Sequence, residues 1–99
     1  MTDLMIRALE YAKNDKFYDV LECAKKMNPP EYMEFFEIIG NFKENPDFLD
    51  KMGEELSFED MSEFLNLGSS KRMAQYLVDK AENTELSEDE MNELKSAVL

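Results

Sequence analysis

Apolar residues recur along this chain at three- and four-residue spacing, and the polar residues between them carry the start and stop chemistry of helices. Leu4, Met5, Ala8, Leu9 and Ala12 place a first helix over residues 3–13. Asn14 or Asp15 is expected to cap a second, with Phe17, Val20, Leu21, Ala24 and Met27 as its inward face. Asn28 before Pro29 fits an N-cap with proline in the first turn, and Gly40 fits the matching stop. Between them only Glu31, Glu34 and Glu37 interrupt Tyr32, Met33, Phe35, Phe36, Ile38 and Ile39. This third helix should therefore be buried over most of its circumference and form the centre of the core.

Asn45-Pro46 repeats that starting signal for a short fourth helix with Phe48, Leu49 and Met52 inward and Gly53 at its end. Ser57 with Asp60 resembles a capping box, Leu56 can staple onto Met61, and Phe58, Met61, Phe64 and Leu65 are the expected buried face up to Gly68. Ser69 or Ser70 should cap a sixth helix bearing Met73, Tyr76, Leu77 and Ala81. Ser87 with Glu90 forms a second box, with Leu86 stapling onto Met91 before Leu94 and Val98. Alternation never persists long enough for a strand. The pattern predicts an all-α fold, a compact irregular bundle of about six to seven short helices, as one domain over residues 1–99. Glu55-Leu56-Ser57 with Met61 and Glu63 recurs as Glu85-Leu86-Ser87 with Met91 and Glu93, but the likeness stops there. Two helices share start chemistry; the chain is not a repeat protein.

Composition removes most chemistry. The 99 residues contain no histidine and one cysteine, Cys23, which excludes imidazole-based triads, zinc sites built on imidazole or on thiolates alone, and an internal disulfide. Cys23 is expected to pack as a small hydrophobe. With no apolar run beyond three residues and no basic, apolar leader, neither a membrane span nor export is expected, and a reducing cytoplasmic setting fits. No glycine-rich phosphate loop is present. The window from Asp79 to Glu90 has the end residues of a calcium loop, but Ala81 and Thr84 occupy positions that need a ligand and a glycine. Neither cofactor nor metal is expected, and the acids lie on expected solvent faces rather than in a cleft. The chain does not read as an enzyme. Eight methionines are more than usual, and most fall at inward positions, where they would fill gaps between short helices.

Charge is what remains. The net −12 is uneven: residues 1–30 balance, residues 31–68 carry −9, residues 69–80 carry +2, and residues 81–99 carry −5. Glu31, Glu34 and Glu37 share one helical line; Glu59 and Glu63 share another beside Asp60, and Glu54 and Glu55 precede them. Like charges at these spacings cost a helix roughly 0.2–0.5 kcal/mol per pair. Lys43 and Lys51, the only bases within the segment, are the only ones expected nearby to relieve it. A cationic partner surface would explain why that cost is carried; the plain alternative is a hydrated face that keeps a small protein soluble. The leading expectation is a binding protein whose acids dock a basic surface on a nucleic-acid-handling protein and inhibit or regulate it. In size and charge the chain resembles phage-encoded regulators and defence inhibitors of that kind.

Two other functions have some support. Residues 58–78 read as helix, Leu67-Gly68-Ser69 turn, helix, and resemble the helix-turn-helix of bacterial and phage regulators. That resemblance implies that Ser70, Lys71, Arg72 and Gln75 reach base edges in the major groove. Met61 or Ser62 stands where the family prefers a small residue. Electrostatics also oppose the reading, since +2 beside −9 neutralises few phosphates. The third class is an adaptor that binds through an exposed methionine or aromatic patch.

Overall fold

The computed structural model describes residues 1–82 and 87–98. Among the described residues there are seven helices and no strand: α1 (Asp3–Lys13), α2 (Phe17–Lys26), α3 (Pro29–Gly40), α4 (Phe48–Glu55), α5 (Phe58–Asn66), α6 (Ser70–Glu82) and α7 (Glu88–Val98). The all-α expectation is met. No helix among the described residues is long and apolar enough to cross a membrane.

Local start chemistry works as read at Asn28, Ser57, Ser69 and Ser87, and Thr2, which the apolar spacing does not single out, does the same for α1. Thr2 Oγ1 accepts from the Met5 amide, Asn28 Oδ1 from Glu31, Ser57 Oγ from Asp60, and Ser69 Oγ from Arg72, which settles the α6 cap on Ser69. Ser87 Oγ accepts from the Glu90 amide at 3.2 Å and donates to the Glu90 carboxylate at 3.0 Å. The proposed staple through Leu86, the Glu85–Ser87 echo and the packing of Met91, Leu94 and Val98 lie outside the described residues or side chains.

Stop chemistry differs from expectation, as do the starts of α2 and α4. No glycine has a positive φ: α3 takes in Gly40 as its last residue, α4 runs through Gly53 to Glu55, and α5 closes before Gly68. Asparagine amides do part of this work. Asn14 Nδ2 donates to the Glu10 carbonyl and Asn41 Nδ2 to the Glu37 carbonyl, both at 2.9 Å; the first supplies an acceptor at the end of α1 that the Asn14 backbone amide does not reach, and the second adds to the bond that the Asn41 backbone amide already gives Glu37. Asn14 thus ends α1 instead of starting α2. Asp15, at φ 53°, makes the left-handed step that reverses the chain into α2, a conformation that aspartate tolerates better than most residues. Lys16 precedes α2 with no side-chain cap.

Asn45 is likewise not an N-cap. It is buried between two segments, donating to Asp15 Oδ1 at 2.6 Å and accepting from Lys51 Nζ at 3.1 Å, so it ties the α1–α2 turn to α4. With Asn45 engaged there, α4 begins at Phe48 behind Asp47, again without a side-chain cap.

One core cluster runs from Met5 to Phe64 and draws on α1 through α5. Met5, Met27 and Met52 are fully buried within it, and Cys23 packs there as a small apolar side chain. Burial pushes the Cys23 thiol pKa up, with Arg7 and Lys26 working weakly the other way. Helix α3 is central, packing on α1, α4 and α6 and burying Tyr32, Phe35 and Ile39. The α1–α2 hairpin packs on it through α1, while α6 reaches outward to α7.

Three side chains expected to face inward are exposed instead. Phe58 is 88% exposed, Leu65 51% and Met33 46%. The reason is geometric. Phe58 and Leu65 are seven residues apart and so share one line on α5, offset from the line through Met61 and Phe64. Helix α5 is only nine residues long and packs mainly on α2 and α4, with the α3 rings of Tyr32 and Phe36 against Phe64, so that the Met61–Phe64 line is the covered one and the other stays open. Met33 stands on the far side of α3 from Phe35.

Candidate functional site

The acid-bearing helices are neighbours in space. Helix α4 packs on both α3 and α5. Phe64 of α5 meets Tyr32 edge-on at 5.6 Å between ring centroids and Phe36 at 6.2 Å, and Tyr32 and Phe36 lie 5.9 Å apart. The Tyr32 hydroxyl donates to the Phe64 carbonyl at 2.6 Å, near the end of α5. Burial pushes the Tyr32 pKa up to about 12 despite the lowering influence of Arg72, so the ring stays neutral at any ordinary pH. This aromatic cluster fixes α3 beside α5 and sets where their glutamates emerge.

The eight acids singled out from the sequence fall into three groups. Glu34, Glu37, Glu54, Glu55 and Glu59 are exposed and make no ion pair among the described residues. Glu31 and Asp60 are half-buried; the Glu31 carboxylate accepts a hydrogen bond from the Thr2 hydroxyl, and the Asp60 amide is held by Ser57. Glu63 is paired: Lys25, arriving from α2, lies 3.4 Å from it and 3.2 Å from Glu22. The Glu22 hydrogen bond is the main influence raising the Lys25 pKa. That pair corrects the expectation that relief could come only from Lys43 and Lys51. Lys51 itself is engaged by Asn45 and lies 4.0 Å from Asp15.

Helix polarity separates these acids further. Glu59 and Asp60 occupy the first turn of α5, where the helix dipole favours negative charge. Glu37, Glu54 and Glu55 occupy last turns, where it opposes negative charge, and none of α3, α4 and α5 has a base in its last turn. These three carboxylates thus face an opposing helix end with no ion pair among the described residues.

Between α3, α5 and the α5–α6 turn lies an open pocket of about 170 Å³, lined by Tyr32, Met33, Phe36, Leu65 and Gly68. A Cβ at position 68 would come within 3.0 Å of both Met33 Sδ and Tyr32 Cε1, so glycine is what lets the turn approach α3 this closely. Sequence reasoning missed the pocket because it placed Met33 and Leu65 inward.

The helix-turn-helix residues divide. Ser70 and Lys71 are exposed, while Gln75 donates to Asp79 Oδ1 at 2.8 Å. Arg72 is turned inward: Nη1 donates to the Leu67 carbonyl at 2.6 Å and Nη2 to the Met27 carbonyl. The guanidinium thus closes the C-termini of α2 and α5, and the expectation that it faces solvent for base contacts is corrected. Helix α6 also packs chiefly on α3 and α7 rather than on α5. Among the described residues no three of Cys, Asp and Glu converge as a metal site would require. Comparison of the chain with family models, curated proteins and solved structures finds no match.

Proposed function

We propose that this chain is a small acidic binding protein, without catalytic activity, that docks a basic surface of a nucleic-acid-handling protein and inhibits or regulates it. The carboxylates stand where the phosphates of nucleic acid would otherwise lie. One observation carries the reading: Glu34, Glu37, Glu54, Glu55 and Glu59 are exposed on three adjoining helices with no ion pair among the described residues. Three of them sit at helix ends that disfavour them. An unfavourable arrangement of this kind is relieved when a cationic surface is brought against it, and long-range attraction speeds that encounter.

The test is capture from a cell lysate at low and at high ionic strength, with the wild-type chain beside Glu34→Gln/Glu37→Gln/Glu55→Gln. The expected result is a basic nucleic-acid-handling protein held by the wild type at low salt, released at high salt and not held by the variant. A partner retained equally by both chains, or indifferent to salt, would overturn the reading. A mobility shift of short duplex DNA by the chain alone, lost on Lys71→Ala, would favour the helix-turn-helix alternative instead.

A further inference from the structure

We infer that the pocket between α3, α5 and the α5–α6 turn receives one apolar side chain of the partner, so that the segment recognised is cationic with a single apolar anchor. The inference rests on the acidic docking reading and says where on that surface the contact is centred.

The pocket's size and lining select this occupant. At about 170 Å³ it is smaller than the roughly 300–1,000 Å³ of small-molecule sites but ample for one side chain. Its lining is aromatic and aliphatic, and its one side-chain hydroxyl, on Tyr32, is already committed to the Phe64 carbonyl. No convergent polar groups are left to orient a metabolite. The aromatic cluster of Tyr32, Phe36 and Phe64 supplies a rigid floor, whereas Met33 and Leu65 at the rim are half-exposed and adaptable. Phe58 extends the apolar strip along α5 on the Leu65 line. Apolar side chains gathered at a surface in this way are characteristic of protein–protein contacts.

Charge decides what carries the anchor. Glu37 lies one turn beyond Met33 on the same line of α3, and Glu34 and Glu59 directly follow Met33 and Phe58 in sequence. A second copy of this chain would bring the same acids and another −12 against them, so self-association through the pocket is opposed. A segment bearing Lys or Arg on either side of one Phe, Leu or Met satisfies both features. The rim changes sign towards α6, where Lys71 follows Gly68 by three residues, and the partner's cations are accordingly placed over α3 and α5.

Three synthetic helical peptides test this: one Lys-rich with a central Phe, the same peptide with that Phe replaced by Ala, and a third with Gln for every Lys and the Phe retained. The readout is NMR of the Met33 and Leu65 methyls, the Gly68 amide, and the Glu34, Glu37 and Glu59 amides, at low and high ionic strength. The Lys-rich Phe peptide is expected to move both sets of signals. The Ala peptide should bind about tenfold more weakly and leave the Met33, Leu65 and Gly68 signals in place. Leu65→Gln, at an exposed position that leaves helicity unchanged by circular dichroism, should reproduce that loss with the Phe peptide. Movement of the glutamate amides alone, equal for Phe and Ala peptides, would overturn the pocket and leave acidic docking standing. Binding of the Gln peptide as tight as the Lys-rich one at every salt concentration would overturn acidic docking and with it the cationic occupant. No response to any peptide at low ionic strength overturns both, and shifts that depend on protein concentration alone would assign the pocket to a second copy.

Discussion

Arg72 shows how far a side chain's task can lie from its place in the chain. Its backbone amide caps onto Ser69 within the same turn, while its guanidinium reaches a carbonyl forty-five residues away at Met27 as well as Leu67 nearby. The first contact is local and readable from serine at a helix start. The second depends on α2 and α5 ending side by side, which no spacing within residues 70–75 reveals. Asn45 and Asp15 follow the same logic, since both look like caps and instead hydrogen-bond each other, joining the α3–α4 connection to the α1–α2 turn. Replacing Arg72 by Ala leaves two helix-end carbonyls without a charged donor and should cost about 2 kcal/mol in urea unfolding. Lys71→Ala, one residue earlier on the exposed side, should stay within about 0.5 kcal/mol. Equal effects from the two substitutions would mean that the Arg72 contacts do not stabilise the fold.

Helix existence was readable because each cap, proline and apolar repeat acts within four residues. Which stripe of a helix is buried was not, because that is decided by the neighbours. Helix α5 has two apolar lines, and the periodicity of Phe58, Met61, Phe64 and Leu65 does not say which one its neighbours cover. The structure ranks them clearly. Phe64→Ala should cost about 3–5 kcal/mol, since Phe64 is fully buried against Tyr32 and Phe36. Phe58→Ser should change stability by no more than about 0.5 kcal/mol. Chemical denaturation of both variants checks the pair, and a large loss from Phe58→Ser would place that ring in the core after all. Helix ends were misjudged for a related reason. Glycine is the commonest stop, but Asn14 and Asn41 reach back with side-chain amides to do the same job.

For the molecule as a whole, the excess of acids was plain in the sequence because net charge is a sum that needs no geometry. Its arrangement was not. Folding sets Glu63 against Lys25 and Glu31 against Thr2, and leaves Glu34, Glu37, Glu54, Glu55 and Glu59 on the surface of adjoining helices. The pocket was equally hidden, being assembled from residues near positions 33 and 66 that meet only through the aromatic cluster. Helix ends give the acidic surface a stability signature of its own. Reversing Glu37 and Glu55 to Lys places cations at the C-termini of α3 and α4 and should stabilise the fold by about 0.3–1 kcal/mol each. The surface proposed for binding is thus one that the fold alone would be better without. The most direct measurement is the association rate of the captured basic partner across a range of ionic strength, for the wild type and for Glu34→Lys/Glu37→Lys/Glu55→Lys. The expected result is a wild-type rate that falls steeply with salt and a variant that associates slowly with little salt dependence while unfolding at an equal or higher temperature. Identical rates and identical salt dependence for the two chains would contradict the role assigned to these carboxylates.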